Sequence, residues 1–237
     1  MGCVQRAAIR SVSRCLVKPR RLCERRAVSE PKERASRITR VAPDIVRWSV
    51  HQSRIGGYPG ESYAVQTRGG IVLIDPLPLE DAALKKLTAL GPVIAIALTI
   101  QSHQRASWRY ARHFVVKVYA PHGAQGLDEK PDVSYRAGAK LPGGLTAIAL
   151  PGPAFSGHGF SWRSSAGRAL FCGDLLTHGG RRLAFVSDQY MDAPDLARKS
   201  ARRLLDLKID LLCPGHGAPL IGGVRREIAA LLARDRR

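Results

Sequence analysis

A loop that follows a buried strand carries residues whose types could do chemistry. The apolar run at 93–98 predicts the strand, and the polar stretch after it, TIQSHQRAS, contains His103 and Arg105. Loops at the carboxyl ends of strands are where α/β proteins usually hold functional groups. An imidazole placed there could ligate a metal, act as a catalytic base, or serve only as a polar loop residue. The loop by itself leaves all three possibilities open.

The elements that must position this loop follow a regular pattern from residue 44 onward. Short apolar runs separated by glycine-containing connections predict strands at 45–50, 62–67, 71–75, 93–98 and 114–120. Residues 79–90 predict a helix, since acids stand in the first turn and Gly91-Pro92 ends it. A further short helix is expected through Trp108 and Ala111.

The second half of the chain repeats this scheme. Its patterns predict strands at 145–150, 159–164, 168–173 and 209–215, and helices at 193–207 and 224–232. Two successive rounds of strands followed by helices predict an α/β protein in which two sheets pack face to face with helices outside. The expected fold is therefore a four-layer αβ/βα sandwich.

Four segments, in this order and spacing, resemble the metallo-β-lactamase superfamily: SYAVQTRGGIVLIDPLP, IALTIQSHQR, RALFCGDLL and LLCPGHGAPL. The resemblance covers about residues 45–235 and implies the metallo-β-lactamase-like sandwich. By family, it also implies hydrolysis of an ester, amide, thioester or phosphoester by water activated at two closely spaced metal ions.

The resemblance also implies a set of metal ligands, most of which this chain lacks. The family pattern reads Leu-Thr-His-x-His-x-Asp-His and continues with a later Pro-Gly-His turn. At the ligand positions of that pattern, this chain has other residues instead: Ile100, Ser102, Gln104, Arg105 and Pro153. Asp174 in Gly-Asp and His216 in Pro-Gly-His-Gly match the family pattern. Asp75 of the first motif is also present, and we interpret it as structural. His103 lies one position out of register.

We therefore predict a reduced site in which the catalytic residues are Asp174, His216, His103 and Arg105. Asp174, His216 and His103 are also the candidate metal ligands. Zinc or another divalent ion at reduced stoichiometry stays open, and a metal-free pocket is the favoured expectation. We further expect an Arg105–Asp174 ion pair in place of the metal, because the ligands are lost and a cation arrives in the same loop. Other expectations concern neighbouring residues: Gln101 and Gln104 completing a polar network, His158 and His178 as replacement ligands, and Cys213 in the core.

The functional prediction is a divergent protein of this fold, hydrolase-like by resemblance, that lacks the usual dinuclear zinc site. Whether it is an enzyme stays open at this point. The alternative is a non-catalytic binding or regulatory protein that uses the former active-site pocket for an anionic small molecule. Arg105, Arg109 and Arg112 would then supply the positive charge, although the last two also fit a solvated helix face.

The charge of the chain is concentrated near its start. Of the formal net charge of +19, residues 1–40 contribute +9, from 12 basic and three acidic residues. We interpret residues 1–40 as a disordered basic tail, either a targeting segment resembling a mitochondrial presequence or translation upstream of a true start near Val41. Residues 41–237 are predicted to form a single domain. Nucleic acid could associate only through the tail, which lacks interleaved aromatic residues, so we expect a small-molecule partner.

Cysteine usage and hydropathy indicate the cellular compartment in which the protein is expected. Three of the five cysteines, Cys3, Cys15 and Cys23, lie in the tail, and no CxxC pair is present. A reducing compartment is therefore expected: the cytoplasm, or the mitochondrion in a eukaryote. The longest apolar run has nine residues, far below the ~20 needed to span a bilayer, so no membrane association is expected.

Overall fold

The computed structural model describes residues 30–51, 59–179 and 182–235. The presequence-like stretch and the tail cysteines Cys3, Cys15 and Cys23 lie outside the described residues. Described residues before the predicted boundary at residue 41 pack against the rest of the fold. Ala35 is buried and forms a β-bridge with Leu79, and the first strand starts at Thr39. Ala35 and Ile38 pack into the hydrophobic core, which explains why this part of the basic segment folds with the domain.

Thirteen strands and four α-helices make up the described chain. The strands are β1 Thr39–Ala42, β2 Ile45–His51, β3 Pro59–Thr67, β4 Gly70–Ile74, β5 Val93–Ala97, β6 Val118–Pro121, β7 Val133–Tyr135, β8 Thr146–Ala149, β9 His158–Ser164, β10 Gly167–His178, β11 Ala184–Phe185, β12 Leu211–Gly217 and β13 Leu220–Ile221. The helices are α1 Asp81–Thr88, α2 Ser107–Phe114, α3 Pro194–Leu204 and α4 Val224–Arg234. A short 3-10 turn, Gln101–His103, lies between β5 and α2.

The predicted helices and strands are all present, with ends that differ from the prediction by a few residues. One such difference lies near residue 115. There the predicted strand 114–120 starts late, at Val118, because α2 extends to Phe114 and Val115 caps it. Val115 has a left-handed φ of 54° and a fully exposed environment, so it cannot continue either element. Four strands of two to four residues, β1, β7, β11 and β13, were not predicted, since they are too short to show an alternating pattern.

The strands form one continuous hydrogen-bonded sheet with the order β7-β6-β5-β4-β3-β12-β10-β9-β8. Its first part holds the parallel neighbours β4, β5, β6 and β7, and its second part holds the parallel pair β10 and β12. Among the described residues, the strand pairing that joins the two parts is that of Gly60 in β3 with His216 in β12. A single paired residue on each strand is a weak link, which lets the two parts turn toward each other.

Three hydrophobic clusters separate the layers of the fold. One packs α1 and α2 against the first part of the sheet, and another packs α3 and α4 against the second part. The middle cluster contains residues from both parts, for example Tyr63 of β3 and Phe171 of β10, whose rings meet edge to face at 5.3 Å. This order of helix, sheet, sheet and helix confirms the predicted four-layer sandwich. In the part of the chain that the structure describes, no helix has the length and apolar character needed to cross a membrane.

Candidate functional site

Four strand ends converge on the candidate site. Asp75 directly follows β4, and the loop with Thr99 and His103 follows β5, its parallel neighbour. Asp174 lies within β10 and His216 within β12, which is also parallel to β10. The carboxyl ends of parallel neighbours meet at the same edge of a sheet, and the pairing of Gly60 with His216 brings the two edges together. Residues distant in sequence are thereby gathered in one place.

His103, Asp174 and His216 form a compact cluster. His103 Nε2 lies 2.9 Å from Asp174 Oδ1, and His216 Nε2 lies 3.2 Å from the same oxygen. One potential ligand atom from each of the three side chains falls within 4.8 Å of the other two. Both histidines are almost fully buried, whereas the Asp174 side chain is 17% exposed. The cluster can therefore be reached from solvent on the side of Asp174.

The cluster is held together by charged contacts that converge on one oxygen, Asp174 Oδ1. His103 Nε2 and Asp174 Oδ1 are both buried, and outside the cluster neither has a hydrogen-bond partner in the described structure. Buried polar atoms with few partners carry a free-energy cost that a bound ion would reduce. Two imidazole nitrogens and one carboxylate oxygen are a donor set that suits zinc, which in catalytic sites commonly has three protein ligands and one open position. The residues present therefore fit one divalent ion.

Asp75 orients His103 from behind. Its Oδ2 lies 2.8 Å from His103 Nδ1, and its Oδ1 accepts a hydrogen bond of 2.7 Å from the Thr99 backbone N–H. The Thr99 hydroxyl donates to Oδ2 at 2.5 Å. When His103 carries its proton on Nδ1, it donates to Asp75 and turns the Nε2 lone pair toward Asp174. A carboxylate behind a histidine ligand is a common feature of metal sites.

The structure gives Asp75 a role that the sequence prediction did not include. The sequence contained one signal for this role. Asp75 follows a strand, and the Leu-Thr pair follows the strand that lies parallel beside it. Asp75 also has a φ of 50°, in the left-handed region that non-glycine residues seldom adopt, and Arg105 has a φ of 39°. Strained backbone at two positions flanking the cluster shows that the surrounding contacts hold this region in one conformation.

The charges of the cluster reinforce one another. Burial and the nearby Arg105 disfavour the protonated His103 ring, but the carboxylates of Asp174 and Asp75 outweigh them and raise its pKa. Burial likewise disfavours the Asp174 carboxylate, yet His103 and His216 hold its pKa well below the ordinary value. Asp174 is therefore ionised at neutral pH, as a metal ligand must be.

The predicted Arg105–Asp174 ion pair is wrong. Both residues are described, and Arg105 Nη1 instead donates to the backbone carbonyls of Glu61, at 2.6 Å, and Asp75, at 3.1 Å. The carbonyl of Asp75 holds the guanidinium behind the cluster rather than within it. Asp174 makes its ion-pair contacts with His103 and His216. Arg105 is 4% exposed and stands next to the cluster as a fixed positive charge.

The other polar candidates lie elsewhere. Gln101 accepts a hydrogen bond from Ser156, and Gln104 accepts from Trp108 Nε1, so neither completes a network with Asp174. His158 and His178 are outside the three-residue cluster, and each ring contacts a backbone carbonyl through Nδ1. Cys213 is buried in the middle hydrophobic cluster, as expected.

Two of the three arginines of the anionic-ligand alternative are neutralised by acids. Arg109 forms an ion pair with Glu30 at 2.6 Å, and Arg112 pairs with Glu129. Both lie on α2, which agrees with the interpretation as a solvated helix face. The pocket around His103, Asp174 and His216 therefore receives little unpaired positive charge from α2.

Gly215 gives the cluster its space. A Cβ atom at this position would lie 2.7 Å from His103 Cε1 and 2.9 Å from Asp174 Oδ1. Contacts this short are not tolerated, so any larger residue would displace two of the three potential ligands. The glycine of the Pro-Gly-His-Gly turn is thus as necessary to the cluster as the histidine that follows it.

Comparison with known proteins gives the family of the chain. The model of a family described as the metallo-beta-lactamase superfamily matches residues 38–229. The search of curated proteins gave no match.

Solved structures provide a second comparison. A metallo-beta-lactamase from Pontibacter korlensis superposes with a TM-score of 0.67 at 17% identity, covering 84% of this chain and 99% of that one. An archaeal metallo-beta-lactamase superfamily protein from Sulfolobus tokodaii gives 0.60 at 16% identity, covering 79% of this chain and 85% of that one. At such low identity, the similarity shows the fold alone.

Proposed function

The chain belongs to the metallo-beta-lactamase superfamily, and we propose that it is a hydrolase-like member with one metal ion held by His103, Asp174 and His216. The observation that carries this proposal is the convergence of three buried or half-buried ligand atoms within 4.8 Å of one another. The proposal revises our sequence-based preference for a metal-free pocket. It keeps the prediction that the usual dinuclear site is missing.

The loss of the second ion is supported by the residues at the family's other ligand positions. Ile100 is a buried hydrocarbon side chain, Ser102 is exposed, and Gln104 is engaged by Trp108 and the Asp128 backbone. Within the described ranges, no other His, Cys, Asp or Glu side chain joins the cluster. Arg105 adds a fixed positive charge beside the cluster, and such a charge opposes the binding of a second cation.

Each residue of the site has a distinct task in this proposal. A divalent ion, when bound, would supply Lewis-acid activation of water for hydrolysis. Asp75 keeps the proton of His103 on Nδ1, so that Nε2 is free to ligate. Asp174, the most exposed of the three, contributes a carboxylate that is ionised at neutral pH. His216 contributes its Nε2 from β12, the parallel neighbour of β10, and Gly215 keeps the space between the three ligands open.

The first test is the metal content of the full-length protein. We expect about one zinc or manganese ion per chain after loading and desalting, measured by elemental analysis, since three protein ligands with one open position hold a single ion. Asp174→Asn and His103→Gln should each lose the ion. His178→Gln is the matched control, because it removes an imidazole outside the cluster, and it should retain the ion.

Gly215→Ala separates the geometry from the identity of the ligands. This variant retains all three ligands but places a methyl group against two of them, so we expect it to lose the ion as well. A wild-type protein without stoichiometric metal after loading, or an Asp174→Asn variant that binds metal normally, would overturn the proposed site. A loaded wild-type protein that hydrolyses no ester, thioester, amide or phosphoester in a broad panel would leave a metal-binding protein without the proposed activity.

A further inference from the structure

A basic cavity lies on the side of the domain formed by the early part of the chain. Its volume is about 290 Å³, close to the lower end of the range that holds small-molecule ligands. It lies between the segment 33–39 and β2. The side chains and backbone that line it include three arginines, three hydroxyl residues and one histidine: Arg34, Arg37, Arg47, Ser36, Thr39, Ser49 and His51.

The strand pairing explains why a cavity forms here. β1 pairs with β2 only as far as the pair Thr39–Arg47. Beyond this point, no described strand other than β3 pairs with β2. The chain before Thr39 departs from the strand to pack Ala35 against Leu79. The cavity occupies the gap that this divergence leaves beside the second half of β2.

The charge in the cavity is unbalanced. Glu33 is the one acidic residue in its described lining, against Arg34 and Arg37, because the third arginine, Arg47, pairs with Glu61 behind the cavity. Arg34 and Arg37 form no ion pair with any described residue, in contrast to Arg109 and Arg112 on α2. Like charges that share a concave surface repel one another, and a bound anion would relieve this repulsion.

Arg47 provides a fixed point within the cavity. Its Nη1 lies 3.1 Å from Oε1 of Glu61, a residue that is 2% exposed, so the guanidinium is held at a defined position. Guanidinium groups match the geometry of phosphate oxygens with paired N–H donors, and neighbouring hydroxyl groups can donate further hydrogen bonds. Ser36, Thr39 and Ser49 offer such hydroxyls.

We propose that this cavity binds a small phosphate-bearing molecule. The site shares no lining residue with the His103–Asp174–His216 cluster, so it does not depend on the metal or on hydrolysis. The recognised chemistry is a compact group of at least two negative charges with several acceptor oxygens. Inorganic pyrophosphate has this chemistry and fits the volume, and it is the probe we would use.

The test is calorimetric titration of the full-length protein with inorganic pyrophosphate, after removal of metal ions with a chelator that is then dialysed away. The double variant Arg34→Gln/Arg37→Gln should weaken binding by about tenfold or more, because it removes two charge-assisted contacts. The matched control is Arg202→Gln/Arg203→Gln, which removes two exposed arginines from α3 on the opposite outer layer. It should change the affinity by less than about twofold, because distant exposed charges are screened by salt.

A second measurement locates the ligand in the wild-type protein. Backbone amide resonances of Ser36 and Ser49 should shift as pyrophosphate is added, while those of α3 should not. Equal weakening in both double variants would attribute binding to the net charge of the chain and overturn the proposal. Absence of binding by the wild-type protein, or unchanged binding by the Arg34/Arg37 variant, would also overturn it.

Discussion

Replacing Glu61 by glutamine should reveal a buried carboxylate whose ionisation destabilises the fold above neutral pH. Glu61 lies on β3, is 2% exposed, and contacts Arg47 through Oε1, whereas its Oε2 is buried with no hydrogen-bond partner among the described residues. Burial raises its pKa from 4.5 to about 7, against the opposing effect of Arg47 and Arg105. The folded protein therefore binds this proton more readily than the unfolded chain does.

The magnitude follows from the linkage between proton binding and folding. Because the folded pKa is the higher one, the contribution of Glu61 to the free energy of unfolding is largest at low pH, falls as pH rises from about 4.5 to about 7, and is constant above that range. For these two pKa values, the free energy of unfolding should decrease by about 2.5 kcal/mol between about pH 5 and pH 8. Glutamine mimics the protonated carboxyl group, so Glu61→Gln should not show this decrease.

The assay is urea unfolding followed by tryptophan fluorescence, since the three tryptophans, Trp48, Trp108 and Trp162, are all buried. The quantity of interest is the difference in free energy of unfolding between Glu61→Gln and wild type, which cancels the titration of other groups. This difference should rise with pH in favour of the variant. Glu129→Gln is the control, because it removes an acid from an exposed ion pair with Arg112, and exposed ion pairs contribute at most about 1 kcal/mol to stability.

A difference for Glu61→Gln that is independent of pH within about 0.5 kcal/mol would refute the reasoning, because the pKa shift would then be absent. A difference that falls with pH would mean that Arg47 and Arg105 stabilise the carboxylate more than burial destabilises it.

Three further predictions concern the site and the core. Asp75→Asn should weaken zinc affinity by about 10- to 100-fold, because His103 loses the carboxylate that orients it; unchanged affinity in a competition titration would contradict this role. Phe171→Ala should lower the free energy of unfolding by about 3–5 kcal/mol in urea unfolding, and a loss below about 1 kcal/mol would mean that the two sheets do not pack through this ring. Gly152→Ala should lower the thermal midpoint markedly, since its Cβ would lie 2.4 Å from the Ala197 backbone at a φ of 137°; an unchanged midpoint would show that the contact between this turn and α3 is loose.

Most of the secondary structure and the order of the layers were predictable from the sequence. Apolar runs such as 93–98 must be buried, and the amphipathic pattern of 224–232 fits only a helix with one face on a sheet. The errors fell where local signals are weak. Val115 ends α2 with a left-handed residue that is not glycine, and a three-residue strand such as β7 has too few residues to show a period.

The identity of the site residues was also largely present in the sequence, but their relationships were not. The sequence supplied His103, Asp174 and His216, and the family resemblance placed two of them. Their mutual distances depend on the parallel pairing of β10 with β12 and on the single pairing between Gly60 and His216. No local pattern encodes a contact between residues separated by more than 40 positions along the chain, as Asp174 and His216 are.

The tertiary structure alone decided which charges meet. From the sequence, a cation and a carboxylate in facing motifs suggested an ion pair between Arg105 and Asp174. In the fold, the left-handed backbone at Arg105 directs its guanidinium to the carbonyls of Glu61 and Asp75, and His103 takes the place beside Asp174. Sequence determines which groups are available, while the strand ends determine their distances, and electrostatic partnership depends on distance.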